Sequence, residues 1–196
     1  MISSGHSLDK RLTIAFQGEH GAFSEEAAFK LIGPGLWPRI RLLPCATFQS
    51  LFGSLDEDRA DYLLAPVSNS LAGVVHPVAE LLQKSSLATV GEVVIQIHQN
   101  LIGCPGTLYE EIQEVESHPV ALAQCSIFFA ENPQIKRVET DDTAGSVARI
   151  IKRGDHRRAA IAGKRAAEIY GGTIIRNHVE DHAENYTRFL LLSRND

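Results

Sequence analysis

The sequence predicts an α/β protein with two lobes and a cleft between them. Short apolar runs alternate with amphipathic helical patterns along the chain, which is typical of βαβ units whose helices cover a mostly parallel sheet. The last apolar run, Phe189–Leu192, comes after the elements of a second lobe are complete, so we expect it to return to the first. We therefore predict a first lobe from residues 11–89 plus 178–196, a second lobe from residues 90–177, and a loose tail over residues 1–10.

Composition and charge narrow the class of protein. The 196 residues are 44% hydrophobic, which is enough for one substantial core or two small lobes. The formal net charge is -5 without a long run of either sign, so nucleic acid and anionic membranes are poor candidates as partners. No apolar run is long enough to span a membrane, and the polar first eleven residues lack a signal-peptide core.

Cysteine usage indicates the compartment. Cys45, Cys104 and Cys125 form an odd set without a Cys-x-x-Cys pair, unlike a disulfide framework or a thiolate metal site. We expect a reducing, cytoplasmic setting.

The elements of the first lobe follow in order. Strands are predicted over residues 12–17, 39–44 and 60–67. Ser24 and Thr47 are expected to be the N-caps of the first two helices, since each hydroxyl residue directly precedes a helical pattern. A third helical pattern covers residues 74–83.

The second lobe begins, on this interpretation, with a long extended segment over residues 90–103 that crosses between the lobes. Ser117 is expected to cap a helix with Pro119 in its first turn, and Asp142 is expected to help cap another. The remaining predicted elements are a helix over 120–129, a strand over 136–140, a helix over 143–153, a strand over 159–162, a helix over 164–170 and a strand at 174–175.

Small polar residues recur where a predicted strand ends and a helix begins. The junctions are Gly18–Ser24, Ser68–Ser70, Ser117–His118, Asp142–Thr143 and Gly163. In a parallel α/β lobe they share one edge, so helix N-termini with free N–H groups are expected to converge on the cleft. Such a surface favours small carboxylates or phosphates, although each of these residues taken singly is also an ordinary helix cap.

Thr187 and Arg188 directly precede the terminal apolar strand. A buried strand would hold this hydroxyl and guanidinium rigidly at its mouth, where small α/β proteins place their chemistry. The alternative is that the two residues simply end a loop.

Other kinds of site have weaker support. His178 and His182 have i,i+4 spacing but lie in a polar loop without the HExxH glutamate, so we predict no metal site. His118 is expected to be packed or hydrogen-bonded. The Gly18-x-x-Gly21 pair lacks the third glycine of a dinucleotide-binding fingerprint, and no G-x-S-x-G elbow supports a hydrolase triad.

Six segments, in order and spacing, resemble the catalytic domain of prephenate dehydratases. They are Gly18–Ala28, Ala60–Ser70, Ser117–Cys125, Asp142–Ala144, Ala159–Ile161 and Asn185–Phe189, and the resemblance extends from Leu12 to Ser193. It implies a hydro-lyase of phenylalanine biosynthesis that converts prephenate to phenylpyruvate, without cofactor or metal. It also implies a fold similar to type II periplasmic binding proteins, a small dicarboxylate as substrate, and a homodimer.

The resemblance assigns roles position by position. Thr187 matches the essential threonine of the family, with a hydrogen bond or proton relay to the leaving hydroxyl, and Asn69 and Gln124 match amides that orient the substrate. Further candidates for substrate binding are Gly21, Ser70, Ser117, Thr143, Arg188 and Phe189. Two of these have an alternative, since Arg188 could instead pair with Asp61 or Glu180, and Phe189 could belong to the core.

The chain departs from the family in two places. Ser68 stands where the family usually has a glutamate, so a carboxylate that could act as an acid or hydrogen-bond acceptor is missing. Arogenate dehydratase and a non-aromatising prephenate decarboxylase therefore stay open, as does a non-catalytic carboxylate-binding or sensor module. Family members commonly carry a C-terminal ACT domain, which this sequence does not contain, so we expect no inhibition by phenylalanine.

Overall fold

The computed structural model describes residues 11–195, so the predicted tail at residues 1–10 lies outside the described residues. In chain order the strands are β1 Leu12–Gln17, β2 Ile40–Cys45, β3 Tyr62–Asn69, β4 Gly73–Val74, β5 Leu87–Gln96, β6 Asn100–Gly103, β7 Glu114–Ser117, β8 Lys136–Glu139, β9 Arg158–Ala162, β10 Thr173–Arg176 and β11 Tyr186–Arg194. The helices are α1 Phe23–Ile32, α2 Phe48–Asp56, α3 His76–Lys84, α4 Pro119–Ala123, α5 Ser126–Glu131, α6 Thr143–Arg153 and α7 Lys164–Tyr170. Among these residues there is no helix with the length and apolar character that a membrane crossing requires.

Each lobe contains one sheet with a single reversed strand along its main path. The first sheet has the order β2-β1-β3-β11-β5, with β4 added beside β3, and the second has the order β10-β6-β9-β7-β8. In the first sheet β11 is antiparallel to both neighbours, and in the second β6 is antiparallel to both. The reversed strands therefore begin at the edge where the others end, which brings the start of β11 and the start of β6 to the cleft.

The terminal strand returns to the first sheet, as the sequence predicts. β11 pairs with β3 and, over its whole length, with β5. Because this pairing keeps β5 in the first sheet as far as Gln96, the chain crosses to the second sheet at residues 97–99. The prediction that the crossing begins at Val90 is therefore wrong. The chain returns after β10, through residues 177–185.

The helix starts differ in part from the predictions. Thr47 is the N-cap of α2, with a capping box to Ser50, and Asp142 caps α6 through the N–H groups of Ala144 and Gly145. The N-cap of α1 is Ala22 rather than Ser24, which is buried inside the helix. The N-cap of α4 is His118 rather than Ser117; its Nδ1 accepts from the N–H of Val120 at 3.2 Å.

The predicted helix over residues 120–129 is two helices, α4 and α5, separated at Gln124 and Cys125. Asp181 from the returning segment accounts for the break. Its N–H donates to the Gln124 carbonyl at 2.7 Å, and its carboxylate accepts from the N–H groups of Ser126 and Ile127. A carbonyl and two N–H groups that a continuous helix would use internally are thus bonded to another part of the chain.

Hydrophobic packing joins the lobes. Phe16 and Ala22 of the first lobe share one buried cluster with Val147, Ile150 and Ala166 of the second. Burial of these side chains is the main force that holds the lobes together on this side of the cleft.

Candidate active site

A cleft of about 540 Å³ opens between the lobes, at the edge where the reversed strands begin. Its lining includes Asn69, Thr187 and Phe189 of the first lobe and Gln124 and Thr143 of the second. The structure therefore brings together the three predicted catalytic residues and two of the predicted substrate-binding residues. Phe189 has both of the expected surroundings, since it is 2% exposed in the core and also lines the cleft.

The side chains of Thr187, Asn69, Asn185 and Gln124 form a chain of hydrogen bonds along the cleft. Asn69 Nδ2 donates to Thr187 Oγ1 at 2.9 Å and to Asn185 Oδ1 at 2.7 Å, and Asn185 Nδ2 donates to Gln124 Oε1 at 3.0 Å. At the other end, Asn69 Oδ1 accepts from the N–H groups of Leu71 and Ala72. Because two backbone donors fix the Asn69 oxygen, the direction of every amide in the chain is determined.

This direction decides what Thr187 and Gln124 can offer to a ligand. Thr187 Oγ1 already accepts from Asn69, so its own hydroxyl hydrogen is available as a donor. Gln124 uses its oxygen as acceptor, and no group within residues 11–195 accepts from its Nε2. Both residues therefore present donors, which suits a ligand with carboxylate groups or an oxygen on which negative charge develops.

Sequence reasoning missed two members of this network, Asn185 and Gln99. Asn185 is fully buried and links Asn69 to Gln124; its position two residues before Thr187 was the available signal. Gln99 is 2% exposed, its Nε2 lies 3.5 Å from Gln124 Oε1, and its buried Oε1 has no hydrogen-bond partner among the described residues. Gln99 lies in the crossing segment, where no sequence pattern marks a site.

Four of the predicted substrate-binding residues lie outside the cleft lining. Arg188 pairs with Glu92 at 2.6 Å in a half-exposed ion pair, so its partner is neither a cleft ligand nor Asp61 or Glu180. Ser117 is fully buried and donates to the Ile161 carbonyl at 2.6 Å. Ser70 donates to the Glu184 carbonyl and accepts from the Tyr186 N–H, so it fastens the start of β11.

Gly21 serves the contact between the lobes. Its φ is +87°, and a Cβ there would lie 2.8 Å from the Cα of Ala166 in α7. Glycine is therefore required by the packing of the lobes rather than by a ligand.

Ser68, the position of the missing family glutamate, faces away from the cleft. It pairs with Arg188 in the β3–β11 ladder, whereas the next pair is Asn69 with Thr187. Paired residues share one face and the following pair points to the other, so Ser68 lies on the face of Arg188. A glutamate here would lie beside Arg188, and in this chain Glu92 already supplies a carboxylate to that guanidinium. The strand register therefore argues against a missing catalytic acid at position 68.

The electrostatics of the cleft depend on backbone dipoles. No lysine or arginine is among its lining residues within the described chain, whereas Asp141, Asp142, His76 and His118 are. The N-terminal residues of α1, α3, α4 and α6 line the cleft, and α1 has no side-chain cap, which leaves N–H groups in its first turn for an anion. The N-cap of α7, Gly163, instead packs against the ring of Phe23. A Cβ at residue 163 would lie 2.9 Å from a carbon of that ring.

The thiols are unsuited to nucleophilic catalysis. Cys45, Cys104 and Cys125 are free and buried, and burial raises the pKa of all three above the usual value for cysteine. A buried thiol with a raised pKa has little thiolate at neutral pH.

A second cluster of titratable side chains lies outside the cleft lining. It consists of His98, His178 and Glu180, on the two segments that cross between the lobes. These are the described residues whose ligand atoms lie close enough together to hold a metal ion.

The fold and the cleft define a two-lobed α/β protein with a polar site between its lobes. At the level of fold alone, the chain is similar to a nutrient binding protein from Burkholderia cenocepacia bound to methionine, with 12% identity, a TM-score of 0.51, and coverage of 93% of this chain and 84% of that one. The expected likeness to periplasmic binding proteins is confirmed.

The chain belongs to the prephenate dehydratase family, whose model matches residues 14–196. It is 40% identical to arogenate dehydratase 3 of Arabidopsis thaliana over 93% of this chain and 42% of that protein. It is 36% identical to the bifunctional chorismate mutase/prephenate dehydratase of Neisseria gonorrhoeae, over 100% of this chain and 53% of that protein. The chain thus spans about half the length of the curated relatives it matches.

Two solved structures, one described as a prephenate dehydratase and one described otherwise, are similar to the chain in fold and sequence. Prephenate dehydratase from Arthrobacter aurescens in complex with L-Phe has a TM-score of 0.84 and 26% identity, over 94% of this chain and 61% of that one. GqqA, described as a novel type of quorum quenching acylase, has a TM-score of 0.80 and 34% identity, over 94% of this chain and 64% of that one.

Proposed function

We propose that this chain is a catalytic domain that converts prephenate to phenylpyruvate, as a hydro-lyase of phenylalanine biosynthesis. The observation that supports this most directly is the oriented amide chain, which holds Thr187 Oγ1 in the cleft with its hydroxyl hydrogen available. Thr187 Oγ1 accepts a hydrogen bond from Asn69 Nδ2, and this makes the Thr187 hydroxyl a better donor, because each hydrogen bond polarises the next.

The reaction consumes one proton and releases CO₂ and water. The C–C bond to the ring carboxylate breaks and releases CO₂, and its electron pair moves through the ring to expel the hydroxyl on the opposite carbon. That oxygen leaves as water after it takes a proton through Thr187, whose hydroxyl is reprotonated from solvent. Aromatisation supplies the driving force, so the protein has to orient the substrate and stabilise charge as it moves.

The cleft has groups suited to each part of a dianion. The N–H groups of the first turn of α1 and Nε2 of Gln124 would bind carboxylates, and Phe189 and Pro66 provide an apolar surface beside the ring. Thr143, at the start of α6, would add a hydroxyl contact from the second lobe.

The test is formation of aromatic product from prephenate, followed by ultraviolet absorbance. We expect turnover by the wild type and a loss of roughly 100-fold or more in kcat for Thr187→Val, which keeps the shape but removes the hydroxyl. Thr187→Ser keeps the donor and should retain much more of the rate. If the wild type makes no phenylpyruvate, or Thr187→Val turns over normally, the proposal fails.

Arogenate is the second candidate substrate, favoured by a specific feature of the cleft. Arogenate has an ammonium group where prephenate has a keto group, and the lining offers the carboxylate of Asp141. Asp142 is less available because its carboxylate caps α6. Formation of phenylalanine from arogenate, compared with formation of phenylpyruvate from prephenate, on the wild type and Asp141→Asn separates the two: an arogenate-selective enzyme should lose its preference in the variant.

A non-catalytic carboxylate-binding module is the alternative from another class. It would bind prephenate without releasing an aromatic product, so the assay above also decides this point. The proposal further includes a cytoplasmic setting, which the three free, buried cysteines support, and a homodimer, which rests on the family resemblance. Light scattering after size-exclusion chromatography measures the assembly directly.

A further inference from the structure

The two segments that cross between the lobes are tied together by His98, His178 and Glu180. Nδ1 of His98 lies 3.0 Å from Glu180 Oε1, Nδ1 of His178 lies 3.2 Å from the same oxygen, and the two Nδ1 atoms are 3.1 Å apart. The three atoms thus form a nearly equilateral triangle. His98 is on the outgoing segment, and the other two residues are on the returning one.

We propose that this triangle is a binding site for a divalent transition metal of the zinc type, which fastens the two crossing segments together. Imidazole and carboxylate are common ligands of such ions, and two histidines with one carboxylate form a recurrent facial set that leaves other positions open. At bond lengths of about 2.0–2.1 Å, neighbouring ligand atoms lie roughly 2.9 to 3.4 Å apart in octahedral or tetrahedral geometry. All three separations fall in that range.

The ligands are already held in place for this role. The Glu180 side chain is 2% exposed, and its second oxygen accepts from the Gln99 N–H at 2.9 Å, which fixes the orientation of the carboxylate. The Val179 N–H donates to the Gln99 carbonyl at 2.9 Å and joins the same two segments. The side chains of His98 and His178 are 40% and 62% exposed, so the outer side of the triangle is open to solvent for further ligands.

His178 also has an unusual backbone. Its φ of +52° lies in the left-handed region, which non-glycine residues seldom adopt. This conformation directs the imidazole towards His98, and the two rings meet edge to face with centroids 4.6 Å apart. A strained backbone that is retained at a cluster of ligand atoms is consistent with a functional site.

Hydrogen bonding alone accounts for the triangle of ligand atoms less well than a bound cation does. If both imidazoles donated to Oε1, the two N–H groups would approach one oxygen about 60° apart, whereas its lone-pair directions are roughly 120° apart. A bond between the two rings would satisfy one Nδ1 and leave Oε1 of Glu180 with a single good donor. One cation in contact with all three atoms satisfies them together.

The metal site would act on the two segments that cross between the lobes, and not on the reaction in the cleft. Gln99, directly after His98, places its side chain in the cleft beside Gln124, so a metal at His98 would fix both the lobe crossing and this amide. The inference does not depend on the proposed dehydratase activity, since metal binding is measured without substrate.

The test is titration of the EDTA-treated, dialysed protein with ZnCl₂ by calorimetry, and with CoCl₂ by visible absorption. We expect one saturable site per chain in the wild type and an affinity at least about tenfold weaker for His178→Ala. The matched control is His182→Ala, an exposed histidine four residues away that should bind as the wild type does. Absence of saturable binding, or equal binding by His178→Ala, would overturn the proposal.

A second measurement guards against a variant that fails to fold. Zinc should raise the melting temperature of the wild type and of His182→Ala, because an ion that binds only the folded state stabilises it. Glu180→Gln should keep its circular dichroism spectrum and lose this increase, since the amide is a poor ligand. An undiminished increase in Glu180→Gln would contradict the assigned ligands.

Discussion

At the scale of single residues, the orientation of one amide determines the chemistry of the cleft. The backbone N–H groups of Leu71 and Ala72 donate to Oδ1 of Asn69, so Nδ2 of Asn69 must point to Thr187 and Asn185. Thr187 is consequently a hydrogen-bond donor to any ligand. The proton path of the proposed reaction depends on this arrangement more than on any charged group.

Ser68 gives a prediction at this scale. Ser68→Glu should leave kcat and KM within about threefold of the wild type, because the new carboxylate would lie on the face of Arg188, away from Thr187. It would join a half-exposed ion pair, which contributes little to stability. Steady-state kinetics with prephenate measure the effect.

The neighbouring position serves as the control for Ser68. Asn69→Leu changes the residue next along β3, on the cleft face, and should abolish most activity because Thr187 and Asn185 both lose their donor. A large gain in rate for Ser68→Glu would mean that its carboxylate reaches the cleft, against the register of β3 and β11.

At the scale of elements, the break between α4 and α5 shows how distant parts of the chain shape a local one. Residues 120–129 have a continuous helical pattern, yet Asp181 bonds to the carbonyl of Gln124 and to the first N–H groups of α5. The break leaves Gln124 at the C-terminal end of a short helix, where its side chain reaches Asn185. The position of Gln124 in the cleft therefore depends on the returning segment.

The capping box of α2 gives a prediction for a helix start beside the cleft, since Phe48 lines the cleft and Thr47 does not. Thr47 Oγ1 accepts from the Ser50 N–H at 3.1 Å, so Thr47→Ala leaves that donor without its partner at an exposed helix start. We expect a loss of about 1 kcal/mol in the free energy of unfolding. Urea denaturation measures it, and kcat should be unchanged.

Gln49→Ala is the matched control, since this exposed residue lies in the same first turn and makes no side-chain hydrogen bond among the described residues. Its free energy of unfolding should differ from the wild type by no more than about 0.5 kcal/mol. Equal losses in the two variants would show that the cap contributes nothing specific.

At the scale of the whole molecule, a buried carboxylate links the lobes. Glu25 in α1 is 3% exposed and accepts from Arg165 in α7 at 2.9 Å, from His20 at 2.7 Å and from the Gly21 N–H at 2.8 Å. The Arg165 guanidinium also lies 3.7 Å from the ring of Phe29. Together with the shared cluster around Phe16, these contacts hold the second lobe against α1.

This link makes the stability dependent on pH. Burial acts to raise the pKa of Glu25, but the bonds from His20, Gly21 and Arg165 outweigh it and hold the pKa below the usual 4.5. A lowered pKa means that Glu25 stabilises the fold above pH 4.5 and that this contribution is lost as the pH falls through the lowered value. Glu25→Gln should be less stable than the wild type by roughly 1–3 kcal/mol at pH 7, and the difference should shrink in acid.

Glu26, the next residue, provides the control because burial raises its pKa. A raised pKa favours folding while the group is protonated, and this contribution is lost as the pH rises above 4.5. The stability of Glu26→Gln relative to the wild type should therefore change with pH in the opposite direction. Urea denaturation between pH 3 and pH 8 measures both; parallel pH profiles would contradict the assignment of Glu25 as the link.

The sequence by itself determined the features that depend on local pattern. Alternation of apolar strands with helices predicts two α/β lobes, and the late apolar run predicts the return of β11 to the first sheet. Thr47 and Asp142 mark the starts of two helices. Family resemblance gave Thr187, Asn69 and Gln124, which the fold brings to one cleft. The predicted strands and helix starts were confirmed because capping and hydrophobic period act over a few residues.

Only the tertiary structure decided which face each polar residue occupies and which partner it has. Period-two alternation places Thr187 and Arg188 on opposite faces, but the pairing of β11 with β3 and β5 decides that Thr187 faces the cleft and Arg188 faces Glu92. Likewise Asn185, Gln99 and the cluster around Glu180 depend on the meeting of two crossing segments about 80 residues apart. Strand register and long-range hydrogen bonds set these positions, and neither is encoded in the residues immediately around them.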